Sequence, residues 1–136
     1  MLAPVLLCVD DRPEMLQLRK KSLECRGFQV ETATNASTAI KALASVPVAT
    51  VLLEYKLEGM DAQAVAYQIK QRFPQVPIVL LSAYSEMPAS LLWLVDEYVM
   101  KSEPIERLPE VIGKVVSARK AGPKSDLLHH YLSIAV

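Results

Sequence analysis

Five polar residues in this 136-residue chain stand where apolar runs end: Asp10 and Asp11 after 5–9, Glu54 after 50–53, Ser82 after 78–81, and Lys101 after 98–100. If those runs are neighbouring parallel strands, all five residues meet at one edge of a sheet. Carboxylates brought together there make a hard-oxygen site suited to Mg²⁺, which keeps several waters and takes one or two carboxylates. A lysine and a hydroxyl beside them suit a phosphoryl group, one as a point charge and the other as a hydrogen-bond donor. Singly, each residue says little. An Asp-Asp pair before a helix is more often a cap, and a lysine at a strand end is usually solvated. The joint placement carries the signal.

The elements between these residues alternate. Residues 5–9 are continuously apolar, as in a strand covered on both faces. Asp11 or Arg12 precedes a helix whose first turn takes Pro13, with Met15, Leu16, Leu18, Leu23 and Phe28 as apolar positions and Gly27 as the stop. Residues 28–33 alternate as a second strand, and Asn35 caps a second helix to about Ser45. Residues 48–54 form the third strand, and Asp61 caps a third helix with Val65, Ile69 and Phe73 on one face. Residues 78–81 make a fourth strand, and Pro88 opens a short helix holding Leu91, Leu92, Trp93 and Leu94. Residues 97–100 are a brief fifth strand, and Pro104 starts a fifth helix with Ile105, Leu108, Val111, Ile112 and Val115. Strand and helix in fivefold alternation specify an α/β fold with a doubly wound parallel sheet and helices on both faces. In such sheets, ligands bind outside the carboxyl ends of the strands.

The bulk numbers fit one soluble domain. Hydrophobic residues make up 51% and charged residues 22%, and 15 Lys and Arg balance 15 Asp and Glu. A neutral chain lacks the surplus basic charge that nucleic acid demands, so no nucleic-acid partner is expected. No apolar run approaches the ~20 residues of a membrane helix, and the amino terminus shows no signal peptide. A cytoplasmic location follows, with Cys8 and Cys25 as reduced, packed thiols.

The stretches V-L-L-C-V-D-D-R-P-E, V-L-L-E-Y-K-L-E-G-M-D, V-L-L-S-A-Y and Y-V-M-K resemble the receiver domain of two-component response regulators, across residues 4 to about 118. The resemblance implies a flavodoxin-like (β/α)5 fold with strand order 2-1-3-4-5. It implies that Asp10 and Asp11 bind Mg²⁺ with the acid at position 54 and the backbone carbonyl of Lys56. It further implies that position 54 is the phosphoacceptor, that Ser82 and Lys101 contact the phosphoryl group, and that Tyr98 reports the switch. Partners would be signalling proteins, either a histidine kinase or a downstream effector, with a homodimer through helix 4, strand 5 and helix 5 as a further expectation.

Three departures qualify this. The family has aspartate at the acceptor, and this chain has Glu54. The added methylene moves the carboxylate outward, and a misplacement of ~1 Å can cost about 10²-fold in such chemistry. Glu54 is therefore expected not to be phosphorylated normally. Its longer side chain can pair with Lys101 or Ser82 in place of a phosphoryl group, leaving Mg²⁺ weakly bound or absent. Second, the interval from Ser82 to Lys101 is short, and the run 91–95 is too apolar for a solvated helix. It either packs on the sheet or offers a partner face. Third, proline follows Lys101 by three residues instead of one.

The expected domain is 1–120, with 121–136 a linker and short tail and no separate output domain. In that tail Leu127, Leu128, Tyr131 and Leu132 have helical spacing, and His129-His130 lacks further ligands. The expected function is that of an atypical receiver, a pseudo-receiver working by protein–protein contact and not an enzyme. The alternatives are a conventional Mg²⁺-dependent receiver with weak phosphorylation, or a small Mg²⁺-dependent phosphotransferase or phosphatase, for which no loop long enough to build a lid is present.

Overall fold

The computed structural model describes residues 3–104 and 106–119. Five strands, β1 (Val5–Val9), β2 (Gln29–Ala33), β3 (Thr50–Glu54), β4 (Ile78–Ser82) and β5 (Glu97–Met100), alternate with α1 (Pro13–Glu24), α2 (Ala36–Ser45), α3 (Ala62–Arg72), α4 (Ala89–Leu94) and α5 (Arg107–Arg119). All pairings are parallel and the strand order is β2-β1-β3-β4-β5. This is the expected doubly wound sheet. The order reverses between β1 and β3, so a crevice opens at their carboxyl ends.

The apolar runs have no polar face because the sheet has helices on both sides. Leu7, Val9, Val51, Leu53, Ile78 and Leu80 pack with α2, α3 and α4. The intervening Leu6, Cys8, Leu52, Val79 and Leu81 pack with α1 and α5. Each such side chain contributes about 1.5–3 kcal/mol by leaving water, which sets the register, since a one-residue slip would exchange the two faces.

Local chemistry ends the helices where expected. Asn35 Oδ1 accepts from the Thr38 N–H at 2.9 Å and Asp61 Oδ1 from the Gln63 N–H at 3.3 Å. Gly27, at φ +94°, turns the chain out of α1 so that the Phe28 N–H reaches the Leu23 carbonyl at 3.2 Å; a positive φ is inexpensive only for glycine.

Four expectations shift. β3 begins at Thr50, not 48, because pairing with β1 starts at Leu6 opposite Thr50. α5 begins at Arg107, after a turn in which the Arg107 N–H bonds the Pro104 carbonyl at 2.9 Å. Cys25, at the carboxyl cap of α1, is exposed rather than packed, as is Leu18, one of the apolar positions of that helix, at 63%. The apolar run 91–95 divides: Leu91, Leu94 and Val95 are buried, whereas Leu92 and Trp93 are exposed, as is Tyr98 on β5. Ile105, the linker and the tail, including His129 and His130, lie outside the described residues. No described helix is long and apolar enough to cross a membrane.

One buried ion pair fastens the edge opposite the polar residues. Lys70 on α3 is 1% exposed, and its Nζ donates to the Val76 carbonyl at 2.7 Å and to Asp96 Oδ2 at 2.8 Å. Asp96 Oδ2 also accepts the Ile78 N–H, and the Asp96 N–H donates back to the Ile78 carbonyl. A buried ammonium deprived of its carboxylate is costly. Asp96→Ala should therefore lower stability by about 3 kcal/mol or more in urea unfolding, and adding Lys70→Met should recover part of that loss. The two thiols should separate as well. Burial pushes the Cys8 thiol up to about 12, so a thiol reagent at mildly alkaline pH should modify Cys25 in the folded protein and Cys8 only on unfolding.

Candidate functional site

The sheet places Asp10, Glu54, Ser82 and Lys101 at the carboxyl ends of β1, β3, β4 and β5, with Asp11 next to Asp10. Asp10, Glu54 and Ser82 are fully buried. Glu54 is the last residue of β3, and the following Tyr55 N–H bonds the Leu81 carbonyl at 2.8 Å, fixing the strand tip. Its carboxylate then meets two cations. Oε1 forms a short hydrogen bond and ion pair with Lys101 Nζ, and Arg12 Nη2 lies 3.4 Å from the same oxygen. Oε2 accepts the Lys56 N–H at 3.4 Å. The expected pairing of Glu54 with Lys101 is thus present.

Ser82 is engaged elsewhere. Its Oγ accepts the Tyr84 N–H at 2.9 Å and donates to the Tyr84 carbonyl at 3.0 Å, so it closes on its own loop and not on Glu54. Tyr98 stays on the surface, 38% exposed.

Asp10 and Asp11 have different roles. Asp10 Oδ1 accepts the Arg12 N–H at 3.0 Å and lies 3.5 Å from Arg12 Nε, while Oδ2 lies 3.6 Å from Arg19 Nη1. Asp11 instead reaches the β3–α3 loop, where its Oδ2 accepts the N–H groups of Glu58 at 2.5 Å and Gly59 at 2.8 Å. The Gly59 N–H, with that of Glu58, lowers the Asp11 carboxyl below its ordinary value. The carboxylates beside Arg12, Asp10 first, hold its guanidinium firmly protonated.

The donor chemistry suits a hard cation, but the arrangement does not. Among the described residues, no three of His, Cys, Asp or Glu come together as a metal-holding group. Asp11 is turned to backbone N–H groups, and the guanidinium of Arg12 stands between Asp10 and Glu54. Mg²⁺ therefore does not fit the site as these side chains lie.

Three contributors were not singled out from the sequence. Arg12 and Arg19 supply cations from α1 and its approach, although the placement of Arg12 between an acid pair and Pro13 was a usable signal. Glu103 shapes the turn that presents Lys101. Its Oε2 accepts the Met100 N–H at 2.7 Å, its own N–H bonds the Met100 carbonyl at 3.0 Å, and its Oε1 accepts from Arg107 Nε at 3.1 Å. With the Lys101 N–H on the Ser82 carbonyl at 2.8 Å, this clasp aims the lysine without an adjacent proline.

A carboxyl that the folded state lowers stabilises the protein above its unfolded value of about 4 and loses that contribution as pH falls through the folded value. Acid unfolding of the native protein should therefore include an Asp11 component. Asp11→Asn should lower stability at neutral pH by about 1 kcal/mol and flatten the dependence below about pH 4, as followed by circular dichroism against urea and pH.

Comparison with known proteins agrees with this architecture. Residues 6–113 match the model of the response regulator receiver domain. The chain is 31% identical over 83 residues to the DNA-binding transcriptional regulator NtrC of Escherichia coli, covering 61% of this chain and 18% of that protein. It is 31% identical over 132 residues to the sensor histidine kinase GacS of Pseudomonas protegens, covering 90% of this chain and 14% of that one. The chain thus spans less than a fifth of the length of these two curated relatives. Among solved structures, the response regulator TrrA of Thermotoga maritima, determined with Mg²⁺ and BeF, superposes with a TM-score of 0.73 at 33% identity, covering 82% of this chain and 98% of that one. The same regulator has been solved in complex with the histidine kinase ThkA. With a family match over most of its length and the family's fold and strand order, the chain belongs to the response regulator receiver domains of two-component signalling.

Proposed function

We propose that this protein is a pseudo-receiver, a cytoplasmic signalling module that works by protein–protein contact without phosphorylation of Glu54. One observation carries the reading: the buried carboxylate of Glu54 already holds Lys101 and has Arg12 beside it. Those cations are the groups that a transferred phosphoryl would need for charge stabilisation. With Lys101 committed to Glu54, the site mimics an occupied state in charge, and the domain signals through its surface instead of by turnover.

The surface that fits this role is formed by α4 and β5, which carry the exposed side chains of Leu92, Trp93 and Tyr98. Exposed aromatic and aliphatic side chains of this size suit a protein partner. The partner would be a histidine kinase or a downstream effector, with a second copy of the chain as the homodimeric version, and nucleic acid is not a partner of this neutral domain. A second reading, a weakly phosphorylated receiver, draws support from Asp11 Oδ1 and Asp10 Oδ2, which are buried without a hydrogen bond.

Intact mass after incubation with acetyl phosphate and Mg²⁺ separates the two. The native protein should show no phosphoryl adduct. Glu54→Asp should form one if a single methylene is all that blocks the site. An adduct on native Glu54 sinks the pseudo-receiver reading. Glu54→Ala, which frees Lys101, should change affinity for a partner kinase or effector by about tenfold, measured by titration calorimetry.

A further inference from the structure

The acidic edge contains its own counter-ions. Asp10, Asp11 and Glu54 are matched by Arg12, Arg19 and Lys101. We propose that Arg12 is the resident cation of this edge: its guanidinium lies between Asp10 and Glu54, and its charge is what keeps divalent metal out of the native protein.

The geometry supports this from several sides. Arg12 is tethered at the site, because its own N–H is held by Asp10 Oδ1 at 3.0 Å. Its side chain then turns back so that Nε lies 3.5 Å from Asp10 and Nη2 3.4 Å from Glu54. A guanidinium is planar, always charged and able to present separate N–H groups to two carboxylates. Here Nη2 hydrogen-bonds Glu54, while Nε, buried without a hydrogen-bond partner, faces Asp10 through charge alone. Mg²⁺ dehydrates reluctantly, and here it would have to enter next to a guanidinium and an ammonium that already balance the acids.

Two buried oxygens show what the guanidinium leaves unsatisfied. Asp10 Oδ2 and Asp11 Oδ1 have no hydrogen-bond donor, and the nearest cation to Asp10 Oδ2 is Arg19, at the longer distance of 3.6 Å. Unbonded carboxylate oxygens that are buried need an explanation. They are hard donors of the kind a divalent ion takes, and removing the Arg12 charge would let such an ion approach them while Lys101 still holds Glu54. The Arg12 side chain is 37% exposed, so its loss opens the edge to solvent without excavating the core. The inference concerns the metal alone and does not depend on whether Glu54 accepts a phosphoryl group.

The test is a titration of Mn²⁺ alone, followed by loss of the free-ion electron paramagnetic resonance signal, with Mg²⁺ then added as competitor. Native protein, Arg12→Ala and Arg12→Gln are compared, each first shown to be folded by circular dichroism. Both variants should bind Mn²⁺ at least fivefold more tightly than the native chain, release it to Mg²⁺, and lose it again when Asp10→Asn is added. Mg²⁺ in excess should also raise the melting temperature of the variants by about 3 °C or more and leave the native value unchanged. Native binding within fivefold of the variants overturns the proposal. So does a folded Arg12→Gln that takes up no metal, or uptake that survives Asp10→Asn. No phosphoryl donor is present, so failure here leaves the pseudo-receiver reading to its own mass measurement.

Discussion

A carboxylate with no exposure to water must be neutralised where it stands, and the site end of this domain is built around that requirement at Glu54. The cost of an unpaired buried charge is several kcal/mol, more than any single hydrogen bond nearby can offset. Lys101 and Arg12 are therefore structural necessities before they are functional ones. Their own supports follow from the same need. Glu103 and the Ser82 carbonyl set the backbone on either side of Lys101, and Asp10 holds the backbone of Arg12. The chain thus joins the ends of β1, β3 and β5 through charge, with β4 tied in by the backbone bond from Lys101 to Ser82.

The same constraint explains the division of labour among the acids. Asp10 and Glu54, both fully buried, take side-chain cations. Asp11, nearer the surface, takes backbone N–H groups and ties the start of α1 to the β3–α3 loop. An extra methylene at position 54 makes the side chain about 1.5 Å longer than that of aspartate, and its carboxylate meets Lys101 from the tip of β3. Ser82 satisfies both its donor and its acceptor on Tyr84.

Most of the fold was legible because its signals are local. Apolar runs end in polar residues, Asn35 and Asp61 cap their helices, and Gly27 marks a positive φ. The strand order came from family resemblance, since periodicity alone does not fix the order of parallel strands. At the site, the partner of Glu54 could be anticipated from side-chain length and charge. Arg12 stood in a telling place, between an acid pair and Pro13, but which acids it would meet depends on φ, ψ and rotamer, which its neighbours in sequence do not fix. The choice made by Ser82 was likewise hidden, since a hydroxyl satisfies itself on whichever backbone groups its loop offers. Leu18, Leu92 and Trp93 were misjudged or left open for a related reason: apolar spacing marks a face of a helix but not whether anything covers it.

The Lys70–Asp96 pair fastens the base of β5 to α3 and to the start of β4. β5 is a short spoke of about 13 Å, bolted at its base, where Asp96 grips Ile78, and carrying Lys101 at its tip. Its tip is held as well, by the Lys101 N–H on the Ser82 carbonyl and the Lys101 ammonium on Glu54, so the strand is pinned at both ends. Leu92 and Trp93 stand just ahead of Asp96 in the chain, so a partner gripping them would pull on the pinned base and, along β5, on the charge cluster at its far end.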